Sequence, residues 1–176
     1  MYRISPITNE QLQSLKDLID KSQPPVGAHL EKIVRASGIS NNKSERFDSK
    51  LLELKPLGTS NNPELLEWLE NYTGIESKYI TNLHVNCMQE GAYFLPHIDN
   101  YHIKVSETFT FLLDKPITGG EFILDGRTID INYNNVLIFN GGKYPHGVKK
   151  VKEGIRKSFI VFYDIPNQNK PAFPLL

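Results

Sequence analysis

One cysteine, Cys87, in 176 residues leaves nothing for an internal disulfide, and such a chain is expected in a reducing interior, the cytoplasm. Neither sign of charge is in excess. Twenty Lys and Arg offset twenty Asp and Glu, scattered rather than blocked, which argues against a nucleic-acid backbone or an anionic membrane as partner. No apolar run approaches the roughly 18 residues of a membrane helix, and "MYRISPITNE" lacks the basic-then-apolar pattern of a signal peptide. Internal repeats and low-complexity segments are missing too. The expectation is a single domain over 1–176, with one core.

Periodicity divides the chain near residue 78. Before it, "ITNEQLQSLKDLID" carries Thr8 and Gln11 at capping-box spacing and Ile7 with Leu12 as a hydrophobic staple, ahead of a stripe of Leu12, Leu15, Leu18 and Ile19. "GAHLEKIVRASG" reads as a second helix, closed by Gly38. "NNPELLEWLENYTG" reads as a third, with Asn62 as N-cap, Pro63 in its first turn and Gly74 as terminator. The stretch between them is polar and irregular, a loop around one short element. The spacing thus predicts a helical part over 1–78.

From Tyr79 the texture becomes β-rich: "YITNLHVNCM", "AYFLPHI", "ETFTFLLD", "GEFILD", "TIDIN", "NVLIFN", "GVKKV" and "KSFIVFYDI". Asp125-Gly126 signals a tight hairpin, and Gly119-Gly120 and Tyr133 to Asn135 mark further turns. Short strands at this spacing predict a mainly β chain, α+β overall. Its core over 79–165 is a sandwich or jelly roll, with the N-terminal helices packed outside. Residues 166–176 read as a tail.

Within this pattern "LPHIDNYHI" places His97 and Asp99 two residues apart, on one face if the strand persists through Ile98, or closing on one ion if a turn begins at Asp99. His146, at the start of a later run, can bring a third ligand. Two histidines and one carboxylate on one side of a metal leave the opposite side open, the arrangement that holds ferrous iron for oxygen chemistry. Arg156, ten residues on, shares a strand face with Ser158 and needs an anionic partner if it lines a barrel wall. A dicarboxylate suits its planar fork.

Between Val85 and Tyr163, "EGAYFLPHID", "ETFTFLLDKPITGGEFIL", "NNVLIFNGGKYPHGV" and "GIRKSF" resemble the iron(II)- and 2-oxoglutarate-dependent dioxygenases, in particular their prolyl-hydroxylase-like branch. The resemblance implies a double-stranded β-helix, the cupin-like jelly roll, with His97, Asp99 and His146 as ligands of Fe(II). It implies Arg156, helped by Ser158, as the partner of the distal carboxylate of 2-oxoglutarate. Gly91 and the Gly119-Gly120-Glu121 turn also match.

The branch often has tyrosines where this chain has Met88 and Phe94, and Tyr93 is the candidate to take over a polar role toward the co-substrate. Tyr101, His102 and Tyr144 are candidate substrate-side residues, with rim aromatics as the plainer reading. His29 and His84 are expected to be structural or surface residues. The implied activity is hydroxylation of an unactivated C–H bond, consuming O2 and releasing succinate and CO2. The implied substrate is an amino acid, a peptide (prolyl among the choices) or a small metabolite. Phe162, where the nucleic-acid demethylases of this superfamily carry a second arginine, argues against a base as substrate. The competing reading is a non-oxidative cupin-like metal-binding protein, a sensor or isomerase, since fold does not fix function. A third reading is an interaction module with a vestigial site.

Overall fold

Local signals set both helices of the computed structural model, which describes residues 2–26, 52–99 and 105–166. In α1 (Asn9–Lys21) Thr8 Oγ1 accepts from the Gln11 N–H at 3.1 Å, and Gln11 Oε1 accepts from the Thr8 N–H at 2.9 Å, the reciprocal capping box. Ile7 and Leu12 are both buried beside it, and Leu15 and Ile19 continue the stripe inward.

Helix α2 (Pro63–Thr73) ends at Gly74, which takes the left-handed conformation at φ +67° and returns its N–H to the Glu70 carbonyl. Asn62, expected as the N-cap, makes no capping hydrogen bond. Its amide accepts from the Gln23 N–H and donates to the carbonyls of Gln23 and Gly58, at 2.7, 2.8 and 2.7 Å. Three hydrogen bonds outweigh one cap, and the two to Gln23 pin the end of α1 to the start of α2. The expected helix over 27–38 lies outside the described residues.

The main sheet has six strands, all paired antiparallel, in the order β1-β9-β5-β12-β3-β2. They are β1 (Tyr2–Pro6), β2 (Leu52–Pro56), β3 (Ile80–Met88), β5 (Glu107–Asp114), β9 (Asn135–Phe139) and β12 (Arg156–Tyr163). The first 78 residues, expected to be helical, therefore supply both edges of this sheet. Each of those strands is short and closes on a proline, Pro6 or Pro56, which an edge tolerates because one side of it needs no ladder donor.

A second sheet of four faces it in the order β4-β10-β7-β8, comprising β4 (Phe94–His97), β7 (Phe122–Leu124), β8 (Arg127–Ile129) and β10 (His146–Val148). The β7–β8 hairpin turns on Asp125 and Gly126, both at positive φ, as their dipeptide predicts. "GVKKV", read as one strand, is split between β10 and β11 (Val151–Glu153), and β11 pairs instead with β6 (Thr118–Gly119). The two sheets make the expected jelly roll.

Period-two alternation gives the main sheet two faces. Leu83, Val85, Phe109, Phe111, Phe159 and Val161 join Leu15, Leu65 and Leu69 of the helices in one core. Leu15, Leu69, Phe109, Phe159 and Val161 are 0% exposed, and each such side chain contributes on the order of 2 kcal/mol by leaving water. Trp68 bridges the layers, stacked on Tyr72 at 5.2 Å and edge-on to Phe111 at 5.9 Å. The other face looks into the barrel, where Met88, Leu112, Leu137 and Phe139 meet Phe122, Leu124 and Val148 of the second sheet. Among the described residues no helix is long and apolar enough to cross a membrane.

Candidate metal centre

His97 is the last residue of β4 and His146 the first of β10, and the antiparallel register sets them directly opposite one another. Their ring centroids are 4.5 Å apart. Strand β4 stops at His97, so Asp99 arrives by a bend rather than along the strand, the second of the two routes the spacing left open. Its N–H donates to the Gly141 carbonyl at 3.0 Å, which anchors it to the turn after β9. One ligand atom from each of His97, Asp99 and His146 lies within 4.8 Å of the others.

The backbone chooses which imidazole nitrogen is offered. Nδ1 of His97 lies 2.9 Å from the Leu95 carbonyl, and Nδ1 of His146 lies 3.1 Å from that of Tyr144. A carbonyl only accepts, so Nδ1 is the donor there in each ring and Nε2 is the nitrogen left facing the site, where it donates to Asp99 while it carries a proton and offers a lone pair to a metal once it does not. Both Nε2 atoms point at the carboxylate, 3.5 Å (His97) from Oδ1 and 3.3 Å (His146) from Oδ2. Aromatic walls hold the rings: Phe94 at 4.4 Å from His97, and Phe139 and Phe122 at 4.8 and 6.0 Å from His146. Phe94 stands where the resembled branch often has tyrosine, and it serves as one of these walls.

Burial alone would raise the Asp99 carboxyl, but the hydrogen-bonding reach of His146 and His97 outweighs it and holds the group well below the usual carboxylate range. Asp99 Oδ2 is buried and makes no hydrogen bond. Gly141 makes room for it: a Cβ there would overlap Oδ2 and lie 2.6 Å from Thr108 Oγ1. Two imidazoles and an ionised, under-bonded carboxylate in one aromatic-walled notch form a donor set that fits a divalent first-row metal.

Arg156, the first residue of β12, is 3% exposed. Its Nε donates to the Gly120 carbonyl at 3.1 Å and one terminal nitrogen donates to Ser158 Oγ at 3.0 Å. Burial lowers the guanidinium to about 10, so it remains a cation at neutral pH, and among the described residues it forms no ion pair. A buried cation of this kind calls for an anionic ligand. Beside it opens a cavity of about 130 Å³, walled by Leu112, Phe122 and Ile129, with Lys115 and Asp130 at its rim. That cavity does not include the three metal-ligand candidates.

Of the remaining candidates, Tyr93 is half-buried just ahead of β4, lines no part of the Arg156 cavity and makes no side-chain hydrogen bond among the described residues. Tyr144 packs against the barrel core and acts on the site through its carbonyl, under His146. Tyr101, His102 and His29 lie outside the described residues. His84, expected to be structural, is on the barrel-facing side of β3 with its ring 5.5 Å from Phe162. Asn86 was not anticipated. It pairs across the ladder with Ser158, is 8% exposed, and its amide oxygen has no partner. The available signal was its place on the same strand face as His84, two residues away, in a run that alternates with the apolar Leu83 and Val85.

Residues 83–164 match the family model of the 2OG-Fe(II) oxygenase superfamily. Among solved structures the chain is similar to the viral collagen prolyl hydroxylase of Paramecium Bursaria Chlorella virus-1 in its 2OG complex. The two are 12% identical with a TM-score of 0.59, over 92% of this chain and 94% of that one. A Pseudomonas putida prolyl-4-hydroxylase gives 12% identity and a TM-score of 0.59 over 94% and 92% of the two chains. An oxidoreductase of the 2OG-Fe(II) oxygenase family from Burkholderia pseudomallei is 20% identical with a TM-score of 0.46, over 57% of this chain and 50% of that one, so this chain spans half of its length. At these identities the likeness speaks for the fold. A search of curated proteins returned no match.

Proposed function

From the match of residues 83–164 to the family model of the 2OG-Fe(II) oxygenase superfamily, we propose that this chain is an oxygenase of that kind and hydroxylates an unactivated C–H bond of an amino-acid, peptidyl or small-metabolite substrate in a reducing cell interior. The family uses Fe(II), 2-oxoglutarate and O2. The observation that carries the reading is the convergence of His97, Asp99 and His146, with both Nε2 atoms turned to the carboxylate. These three residues hold the iron. Bound there, it supplies the activation of O2 that is coupled to oxidation of 2-oxoglutarate to succinate and CO2.

The protein's own residues supply position. Arg156 and Ser158 take the distal carboxylate of 2-oxoglutarate, and the fixed fork sets the direction of the keto acid toward the triad. Asn86, opposite Ser158, turns its amide toward the same space and offers an N–H to the co-substrate. The apolar walls Leu112, Phe122 and Ile129 exclude water from its methylenes. Asp99 keeps the ligand set that leads to hydroxylation, because related halogenases carry a small residue at that place. Prolyl substrates are named for the two solved structures of similar fold, and a peptidyl proline is the first substrate to test here.

The deciding experiment exposes anaerobically iron-loaded protein and 2-oxoglutarate to air, with pools of amino acids and proline-containing peptides, and measures succinate. Succinate well above that of a His97→Ala control supports the oxygenase, and stimulation by one pool identifies the substrate class. Protein that binds metal but neither binds 2-oxoglutarate nor releases succinate favours the non-oxidative metal-binding barrel instead.

A further inference from the structure

Thr108 sits on β5 with its side chain on the barrel-facing side, between Phe139 of β9 and Phe162 of β12 in the ladder. It is 1% exposed, and its hydroxyl has no hydrogen-bond partner. A buried, unpaired hydroxyl on a central strand is costly, and valine of the same shape would suit an apolar wall better. Its neighbour in space is a second buried oxygen without a hydrogen bond, Asp99 Oδ2, whose contact with His146 Nε2 is 3.3 Å long. Both oxygens crowd the point where a Cβ would stand on Gly141, so they approach each other across a residue that has no side chain to separate them. Asp99 is itself fixed by its N–H to the Gly141 carbonyl, and its other oxygen, Oδ1, is the one nearer His97 Nε2.

We propose that Thr108 is a positioning residue for the metal centre: its hydroxyl donates to Asp99 Oδ2 when a divalent metal is bound, so that the carboxylate binds the metal through Oδ1 alone. The inference rests on the reading of His97, Asp99 and His146 as the metal ligands. A hydroxyl is the group this place requires. It can rotate to donate to the carboxylate oxygen that a metal bound through Oδ1 leaves with spare lone pairs. A carboxylate allowed to bind through both oxygens would occupy a position that the co-substrate or O2 needs. Thr108 therefore protects the open side of the metal while touching neither metal nor substrate.

The test compares wild type with Thr108→Val and Thr108→Ser, using Co(II) under argon as the probe and the melting temperature of the metal-free protein as the second readout. Valine is expected to weaken Co(II) binding about 10- to 100-fold, the usual effect of losing an outer partner of a metal ligand, and to change the Co(II) d–d spectrum. The same substitution removes the unpaired hydroxyl, so the metal-free protein is expected to melt at the wild-type temperature or higher. Serine keeps the hydroxyl and is expected to keep wild-type affinity and spectrum. That pairing of tighter packing with weaker metal binding is what a purely structural threonine would not produce. If valine fails to fold, Thr108→Ala carries the same affinity and spectral test. A valine or alanine variant with wild-type affinity and spectrum overturns the proposal, as does a serine variant that behaves like valine. Wild type that binds no Co(II) overturns the ligand reading beneath it, a result separate from either.

Discussion

His97 and His146 are cross-strand partners, and each has its ring turned by the carbonyl two residues before it, so two strands present two Nε2 atoms to one carboxylate. The site is arranged by backbone geometry before any metal arrives.

Metal binding should therefore be tight and stabilising. Thermal melts with Co(II) in place of iron are expected to show stabilisation of about 2.7 kcal/mol at a metal concentration of about 100 Kd. His146→Ala should lose this shift and turnover together. A His146→Ala variant with full succinate production would remove the assignment.

Gly141→Ala should act on the metal through Asp99. The added methyl overlaps Oδ2 and crowds Thr108 Oγ1, so the carboxylate must swing away. Loss of Co(II) affinity by about 10- to 100-fold is expected, with the β-sheet circular dichroism of the wild type retained. Unchanged titration curves would show that the turn relaxes instead.

Arg156→Met should leave metal binding intact and impair 2-oxoglutarate. Loss of charge-assisted hydrogen bonds costs about 1.5–3 kcal/mol, a rise of roughly 10- to 100-fold in the co-substrate Kd. Anaerobic titration of the iron-to-keto-acid charge-transfer band measures it directly. Equal Kd values would place the anion elsewhere.

His84 gives the fold an acid-sensitive point. Removal from water lowers its imidazole from 6.5 to about 4, an effect the negative Asp99 only partly offsets. Between those values the unfolded chain binds the proton more readily than the folded one. Stability is complete above pH 6.5 and falls as pH drops toward 4, by on the order of 1–3 kcal/mol for a ring that solvent still reaches in part. Asp99 works the other way: its carboxylate contributes above the ordinary carboxylate range and is lost only well below it. His84→Leu is expected to flatten the decline between pH 6.5 and 4 in urea melts, and a parallel decline in both proteins would refute the assignment.

Thr8→Ala tests the helix entrance apart from the chemistry. Loss of the reciprocal cap should cost about 1 kcal/mol in a denaturant melt and leave Co(II) affinity unchanged.

Thr8 is also where the sequence speaks most clearly, because a capping box needs only residues three apart, as does the Asp125-Gly126 turn. The convergence of His97, Asp99 and His146 was legible for a different reason: a histidine and an aspartate two apart in a β run, a later histidine and an arginine ten residues beyond it together carry the resemblance. Asn62 misled because its amide makes three hydrogen bonds that no local pattern encodes. Strands β1 and β2 escaped notice because a five-residue edge strand beside a helix carries too little alternation to stand out. Asn86 and Thr108 were invisible as functional groups, since a threonine in a strand is ordinary and only the register shows what it faces.

Strand β12 has a consequence for how such a protein can change. Its odd-numbered side chains, Phe159, Val161 and Tyr163, lie under the helices, while its even-numbered ones, Arg156, Ser158, Ile160 and Phe162, look into the barrel. Folding constrains one set and chemistry the other, on the same eight residues. Substitutions at Ile160 and Phe162 can therefore explore new substrates while the hydrophobic layer that keeps the chain folded stays untouched. Evolution, or a protein engineer, can edit every second letter of this strand and leave the intervening ones alone.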